Sequence, residues 1–442
     1  MMDLDTTEAH SSHGQFLPSN RRAERIAQLD NNKWVWFEDQ LKNSAIKPVA
    51  NLGTGFIEYN PPQFIIDAHK EALENVEYNQ YGPQSGMPLF KQALANAYSA
   101  KLGWEIDPVM EVSVHTGASE ALLSIVTAFV EPGEEVILLE PVFSAYVKYT
   151  VYVEFVKGVP RFVALHPPAG AEKGKSYGNE WVVDMSELEA AITPKTKLLL
   201  TPDSHNPTGK VFTPSELHSI ADLCVRNSII LVSDEVYSHL AYTPTFTSLA
   251  SISPSIAANT ITVGSIGKLF NCTGWRLGHA IGPASLIHPV QVAHYVLCYT
   301  TSGPPQKAAV EGFLEADRLD WWEENRREVK GMVDGFCGVL DGLGIPYVYP
   351  SAAYFVLAHV DGIPIPGDFV FPPHIAGLSK DMRTCWFLMN EIGVAAIPGT
   401  TFYGPDNAHI GENYVRFGVC KSGEGMELAK SRLQKLIRIV VE

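Results

Sequence analysis

Five short apolar runs in the middle of the chain, separated by helix-like stretches, restrict the fold more than any other feature. They fall at 135–139, 161–165, 197–201, 229–233 and 260–263. Each is apolar on both faces, as strands buried inside a parallel sheet are. Between them, 185–192 and 214–226 carry apolar residues at helical spacing, with Thr213, Ser186 or Ser215 available as N-caps. Another helix is predicted over 88–102, after a turn-rich opening that begins near 51. Strand alternating with helix predicts an α/β domain built on a mostly parallel, doubly wound sheet.

Past residue 312 the texture changes. A charged helical stretch at 318–343 precedes a strand-like pair near 354–358 and 414–419, and proline-rich 363–373 reads as a surface loop. We therefore expect an N-terminal arm over 1–30, a large domain over 61–311, and a smaller α+β domain from 31–60 and 312–442. A chain of 442 residues is long enough to give each domain its own core. Net charge is −16, from 33 basic and 49 acidic side chains, and no basic cluster occurs. Nucleic acid and anionic membrane are thereby unsuitable partners. The six cysteines, at 224, 272, 298, 337, 385 and 420, include no C-x-x-C pair. That excludes the usual zinc and redox spacings and fits a reducing compartment. Residues 1–15 are polar and carry Asp3, Asp5 and Glu8, unlike a secretory or mitochondrial leader. With no apolar run of membrane-spanning length, the expectation is a soluble cytoplasmic protein.

In open α/β sheets ligands sit beyond the carboxyl ends of the strands, and three such ends carry chemistry. After 260–263 comes Gly264-Ser265-Ile266-Gly267-Lys268, followed by Arg276 inside Gly274-Trp275-Arg276-Leu277-Gly278. A lysine there can form a Schiff base with an aldehyde whose phosphate Ser265 and Arg276 hold, the arginine through paired hydrogen bonds. The aldehyde implied is pyridoxal 5′-phosphate (PLP). After 229–233 comes Asp234-Glu235-Val236-Tyr237, and after 197–201 a loop containing Asn206-Pro207-Thr208-Gly209-Lys210. Asp234 facing the pyridine nitrogen would keep it protonated. Asn206 and Tyr237 suit the ring's 3-oxygen. The small-residue turn Thr116-Gly117-Ala118-Ser119 leads into a helix, and the backbone amides of such a turn suit a phosphate. Phe143 follows another strand end and is placed to stack on the ring. A nucleotide P-loop is excluded, because Leu269 stands where Ser or Thr must bind magnesium. Gly53-Thr54-Gly55 lacks the third glycine of a dinucleotide fingerprint.

Taken in order, the N-P-x-G loop, the D-x-x-Y strand end, the S-x-G-K segment and G-x-R-x-G resemble the class I/II aminotransferases, PLP enzymes of fold type I. Within them, Asn51-Leu52-Gly53-Thr54-Gly55-Phe56, Asn79-Gln80-Tyr81 and Tyr414-Val415-Arg416-Phe417 resemble the kynurenine aminotransferase / cysteine-S-conjugate β-lyase group. The resemblance implies a large PLP-binding domain and a smaller α+β domain. It makes Lys268 the Schiff-base lysine and Asp234 the pyridinium partner, with Asn206 and Tyr237 on the 3-oxygen. It assigns the phosphate to Ser265, Arg276, Ala118 and Ser119, joined by Tyr81 of a neighbouring subunit. Arg416, with Asn206 and the backbone of Gly55, would hold the substrate α-carboxylate. Trp36 would line the substrate pocket, with Tyr299 entering from the partner chain.

The implied unit is a homodimer with shared sites. The implied reaction moves the amino group of an aromatic or large neutral L-amino acid to a 2-oxo acid. C–S β-elimination from cysteine S-conjugates uses the same residues and stays open, whereas a non-catalytic protein on the same fold is disfavoured by the presence of both Lys268 and Asp234. Ile266, Leu269, Asn271, Cys272, His279 and Ala352 depart from the group's pattern. His205 reads as a histidine holding its own loop, and His279 fits either packing or a substrate contact. Trp36 and Tyr299 also fit simple core positions.

Overall fold

A computed structural model describes residues 33–142, 152–242 and 246–437. The arm expected over 1–30 and Phe143 lie outside these residues. All five apolar runs form strands, Glu135–Glu140, Val159–His166, Thr196–Pro202, Ile230–Asp234 and Thr260–Ser265, and each is within two residues of its predicted bounds. They are mutually parallel and stand side by side in one eight-stranded sheet. Val112–His115 and Gly278–Ile281 extend one edge, and Val182–Val183 closes the other. Gly278–Ile281 runs antiparallel to both of its neighbours, Val112–His115 and Thr260–Ser265.

Alternation along the strands feeds two apolar layers. Leu138, Leu198, Leu200, Val232 and Val263 pack with Ala121, Leu122, Ile125, Ile287 and Val290 of helices Ala118–Phe129 and Ala284–Cys298. Ile137, Leu139, Leu199 and Leu231 face the other way, toward Leu217, Ile220 and Ala221 of helix Pro214–Arg226. Each such buried aliphatic side chain contributes about 1.5–3 kcal/mol, which makes the two-layer arrangement the stable one. Val159–His166 is the exception to the expectation of two buried faces. Its first half is partly exposed, and Arg161 pairs there with Glu135 at 2.6 Å.

Local signals account for the helix ends. Pro88 opens Pro88–Leu102, and Gly103, at φ 90°, ends it by donating its N–H to Ser99 O at 2.9 Å. Thr213 and Glu216 form a capping box ahead of Pro214–Arg226. For Met185–Ala191 the cap is Asp184, whose carboxylate accepts from Ser186 N at 2.8 Å, so Ser186 is inside the helix.

The second sheet runs in the order Ile397–Pro398, Tyr414–Gly418, Phe355–His359, Tyr347–Tyr349, Lys175–Tyr177. The predicted pair is its centre, and Lys175–Tyr177 reaches it from within 61–311. Its core is covered by Val329, Val333, Phe336 and Leu340 of Trp321–Leu343 and by Met426, Ala429 and Leu433 of Gly423–Leu433. The helix expected over 318–343 is present as Trp321–Leu343, and a separate helix precedes it. Gly303–Arg318 ends before Asp320, which at φ 55° turns the chain into Trp321–Leu343. Among the described residues, no helix is long and apolar enough to cross a membrane.

Candidate active site

The carboxyl ends of the parallel strands open on one cleft. It is lined by Ala118, Ser119, Asn206, Asp234, Tyr237, Ser265, Lys268 and Arg276, all singled out from sequence. Leu122, Tyr152, Pro202, Ser204, Val236 and Thr273 complete the lining, and sequence reasoning missed them. Asp234 is the last residue of its strand, and Ser265 ends the next strand. Ser265 also caps the short helix Ile266–Leu269 that carries Lys268. Adjacent parallel strands thus bring together residues that are 31 and more positions apart in the sequence.

Lys268 Nζ donates to Tyr354 Oη at 2.8 Å and to Gly55 O at 3.2 Å, while the Tyr354 hydroxyl donates to Gly55 O at 3.0 Å. The ammonium lies 5.2 Å from the centre of the Tyr237 ring and 5.5 Å from that of Tyr354, within cation–π range. Burial pushes the Asp234 carboxyl up to about 7, although a hydrogen bond from Val236 N at 3.3 Å opposes this. A carboxylate so placed is stabilised by any cation brought against it.

At the other end of the cleft, Gly117, at φ 84°, turns the chain into helix Ala118–Phe129. A Cβ at Gly117 would come within 2.6 Å of an Arg276 guanidinium nitrogen, and one at Gly278 within 2.4 Å of Ala118 N. The two glycines therefore let the arginine and the helix amides converge. Arg276 itself has φ 53° and donates to Thr273 O at 3.0 Å.

Arg416, on strand Tyr414–Gly418, is 1% exposed. Its guanidinium donates to Asn206 Oδ1 at 3.1 Å and to Gly53 O at 2.7 Å, and its Nε is buried without a partner. Phe355 and Phe402 flank it, with ring centres at 4.5 and 5.0 Å. Burial pushes the guanidinium down to about 10. Asn206 thus joins the cleft to a buried cation that, among the described residues, has no carboxylate within hydrogen-bonding reach.

The remaining predicted residues are placed differently. Gly55 reaches the site through its carbonyl, and a Cβ there would touch Phe355 at 3.0 Å. Trp36 is half-buried on helix Lys33–Asn43, packed against the cores of both sheets and outside the cleft lining. Tyr81 and Tyr299 meet edge to face at 5.3 Å, 83% and 47% exposed, and neither lines the cleft of its own chain. His205 holds its loop: its Nδ1 pairs with Thr208 Oγ1 at 2.8 Å, and its N–H donates to Lys210 O at 2.8 Å. His279 is packing. It is buried edge to face on Tyr98 at 5.0 Å, over the space left by Gly264, and burial lowers it to about 3.

These groups fit PLP. The convergent Ala118 and Ser119 amides, Ser265 and Arg276 form a donor set for a phosphate. Lys268 is within the same cleft for the aldehyde, and Asp234 supplies a buried carboxylate for a protonated ring nitrogen. A family model, aminotransferase class I and II, matches residues 47–432. The probable kynurenine–oxoglutarate transaminase BNA3 of Saccharomyces cerevisiae is 36% identical over 98% of this chain and 96% of its own length. The kynurenine–oxoglutarate transaminase of Dictyostelium discoideum is 33% identical over 91% of this chain and 94% of its own. The crystal structure of Bna3p, described as a putative kynurenine aminotransferase from Saccharomyces cerevisiae, superposes with a TM-score of 0.92 at 35% identity, covering 96% of this chain and 100% of that one. With the cleft built as its sequence motifs require, the chain belongs to the PLP-dependent class I and II aminotransferases.

Proposed function

We propose that this aminotransferase takes kynurenine and other aromatic or large neutral L-amino acids as donors, with 2-oxoglutarate or a related 2-oxo acid as acceptor. The observation that carries the reading is Arg416, a buried guanidinium fixed to Asn206 beside the cleft that contains Lys268 and Asp234. The names of the relatives from yeast and Dictyostelium support the donor.

Bound PLP supplies the electron sink that stabilises negative charge at the substrate Cα. Lys268 would hold the cofactor covalently and, once released, move the proton from Cα, its Nζ steadied by Tyr354 and Gly55. Asp234 would keep the ring nitrogen protonated, and Asn206 and Tyr237 would hold the 3-oxygen. Ser265, Arg276 and the Ala118 and Ser119 amides would orient the phosphate. Arg416 would fix the α-carboxylate through a two-pronged pair and so set the Cα–H bond toward Lys268. Trp36 would border the substrate side chain, and Phe143 would stack on the ring.

The working unit would be a homodimer with shared sites. Tyr81 and Tyr299 are exposed together in a patch that also holds Val292, Tyr295 and Val296, which suits burial against a second copy. In that copy Tyr81 would reach the phosphate and Tyr299 the substrate. Residues 61–311 would form the PLP-binding domain, with 31–60 and 312–442 as the smaller one and 1–30 as an arm. Six free cysteines suit a reducing cytoplasm.

The test is a panel of L-amino acids, kynurenine among them, each with 2-oxoglutarate and other 2-oxo acids, scored for oxo acid, thiol and ammonia. Transfer from kynurenine and its aromatic neighbours is expected. Thiol release from cysteine S-conjugates exceeding transfer would assign the protein to β-elimination instead. Mixed dimers of inactive Lys268→Ala and Tyr81→Phe chains should regain activity if sites are shared.

A further inference from the structure

Beside the phosphate end of the cleft, outside its lining, lies a buried group of ionisable side chains. Glu120 is in the first turn of helix Ala118–Phe129, one position past Ser119. Its Oε2 faces His115 Nδ1 at 2.9 Å, His294 Nδ1 at 3.0 Å and the N–H of Thr116 at 3.0 Å, and its Oε1 accepts from Ser124 Oγ at 2.5 Å. The two imidazoles pack edge to face at 4.8 Å and are wholly buried.

A carboxylate only accepts, so each ring must carry its proton on Nδ1. Both Nε2 atoms are buried without a partner, so a second proton on either ring would strand an N–H in an apolar layer. Burial pushes Glu120 toward the neutral form. The hydrogen bonds from His115 and His294 outweigh it and hold the carboxyl well below its usual range. The group is therefore a carboxylate saturated by four donors, two of them imidazole Nδ1–H groups.

The three residues come from different elements. His115 ends strand Val112–His115, Glu120 belongs to the helix that follows, and His294 lies on Ala284–Cys298, packed alongside. Between His115 and Glu120 runs the turn Thr116-Gly117, followed by Ala118 and Ser119. This turn has no side-chain cap of the ordinary kind, and Gly117 is left-handed. Its conformation rests on Glu120 reaching back to Thr116 N and on the two histidines that aim Glu120.

We propose that His115, Glu120 and His294 form a brace that sets the Thr116–Ser119 turn so that its amides meet the cofactor phosphate, making them positioning residues for PLP retention. The inference rests on the reading that Ala118, Ser119 and Arg276 hold that phosphate. Two histidines and a carboxylate also suggest a metal centre. The geometry favours the brace, because both Nδ1 atoms and a backbone N–H point at one oxygen from hydrogen-bond distance, and that oxygen is filled by them.

The experiment follows PLP loss from the purified holoenzyme after dilution, with the 31P signal of the bound phosphate as a second readout. Asparagine places an amide N–H near the Nδ1 position, whereas glutamine places it near Nε2, away from Glu120. Loss of PLP should quicken about tenfold or more in His115→Gln, His294→Gln and Glu120→Ala, the scale of one buried charged hydrogen bond. His115→Asn and His294→Asn should stay near wild type. The wild-type 31P signal should shift or broaden only in the first set. Proton spectra of the wild type should show two low-field Nδ1–H resonances that vanish in Glu120→Ala. Should a variant fail to fold, the asparagine–glutamine contrast at the other histidine decides. Equal retention in the two substitutions overturns the brace, as does a stoichiometric transition metal that the glutamine variants lose. Arg276→Ala separates this from failure of the parent reading. If it leaves retention unchanged, the phosphate assignment is wrong. If it quickens loss while the glutamine variants do not, only the brace is wrong.

Discussion

Arg416 is the place where structure gives a magnitude that an assay can contradict. Burial lowers its guanidinium to about 10, and a displacement of that size corresponds to about 3 kcal/mol at 1.36 kcal/mol per pH unit. Among the described residues, the charge is held by Asn206 Oδ1 and Gly53 O as hydrogen-bond acceptors, and burial sets that cost. A substrate carboxylate bound there would return much of that cost, and Arg416 Nε is buried without a partner. Arg416→Ala should therefore lower kcat/KM for an L-amino acid by about two decades or more, at roughly 1.4 kcal/mol per decade. Arg416→Lys should recover part of the loss, because an ammonium supplies charge but no planar fork. The same substitutions should leave kcat/KM for the corresponding decarboxylated amine nearly unchanged. Stability should move the other way: Arg416→Met, of similar length and apolar, is expected to leave the folded protein as stable as wild type or more so. The assay is kcat/KM for paired amino acid and amine in each variant, with urea midpoints alongside. An Arg416→Ala enzyme that keeps its preference for the carboxylate would refute the assignment.

Lys268→Ala should abolish turnover and the visible absorbance of a lysine Schiff base while still retaining PLP through Ser265 and Arg276, and absorbance spectra with activity assays check both. Tyr354→Phe removes the 2.8 Å contact to Lys268 Nζ; kcat is expected to fall about tenfold, the scale of one hydrogen bond to a charged group, with KM little changed. Asp234→Asn tests the pH dependence of the PLP-free protein. A carboxyl raised by burial to about 7 contributes stability that is present below its ordinary range and lost as pH rises through 7. Wild type should thus lose about 3 kcal/mol relative to Asp234→Asn between pH 5 and 8, read from urea midpoints of both apoproteins. Parallel curves would remove the premise that Asp234 is strained by burial.

The parallel strands were legible because each is a continuous apolar run, and burial on both faces leaves little else for such a run to do. Their order in the sheet came from the structure. Other elements had weaker signals. Val112–His115 and Gly278–Ile281 carry histidines, and His279 is tolerated in the sheet only because Gly264, opposite it in register, leaves room for the ring. Lys175–Tyr177 is three residues with no apolar alternation, and its pairing with Tyr347–Tyr349 is a tertiary fact. Helix Gly303–Arg318 went unread because its opening Gly303-Pro304-Pro305 looks like a turn. In the site, lysine, aspartate and arginine announced themselves by motif. Tyr354 and Tyr152 did not, since an aromatic beside a strand or helix is most often core. Only the fold brings the Tyr354 hydroxyl to Lys268, 86 positions away.

A cleft of this composition is poorly satisfied by its own side chains. Asp234 is raised by burial, and Arg416 is lowered by it. Asp234 and Arg416 have opposite charges, yet the chain pairs Arg416 with an amide and a carbonyl and does not bring the two together. Had they paired, both would be neutralised and neither would have a use for a ligand. Held apart, each remains available, the carboxylate for a cationic ring and the guanidinium for a substrate carboxylate. Unpaired buried charge lowers the stability of the protein alone and raises the differential affinity for the groups that complete it. Cofactor and substrate should therefore stabilise the fold in separate steps, the first through Asp234 and the second through Arg416. The carboxylate step should appear with an unreactive carboxylic acid as well as with a true substrate, since it needs only the anion.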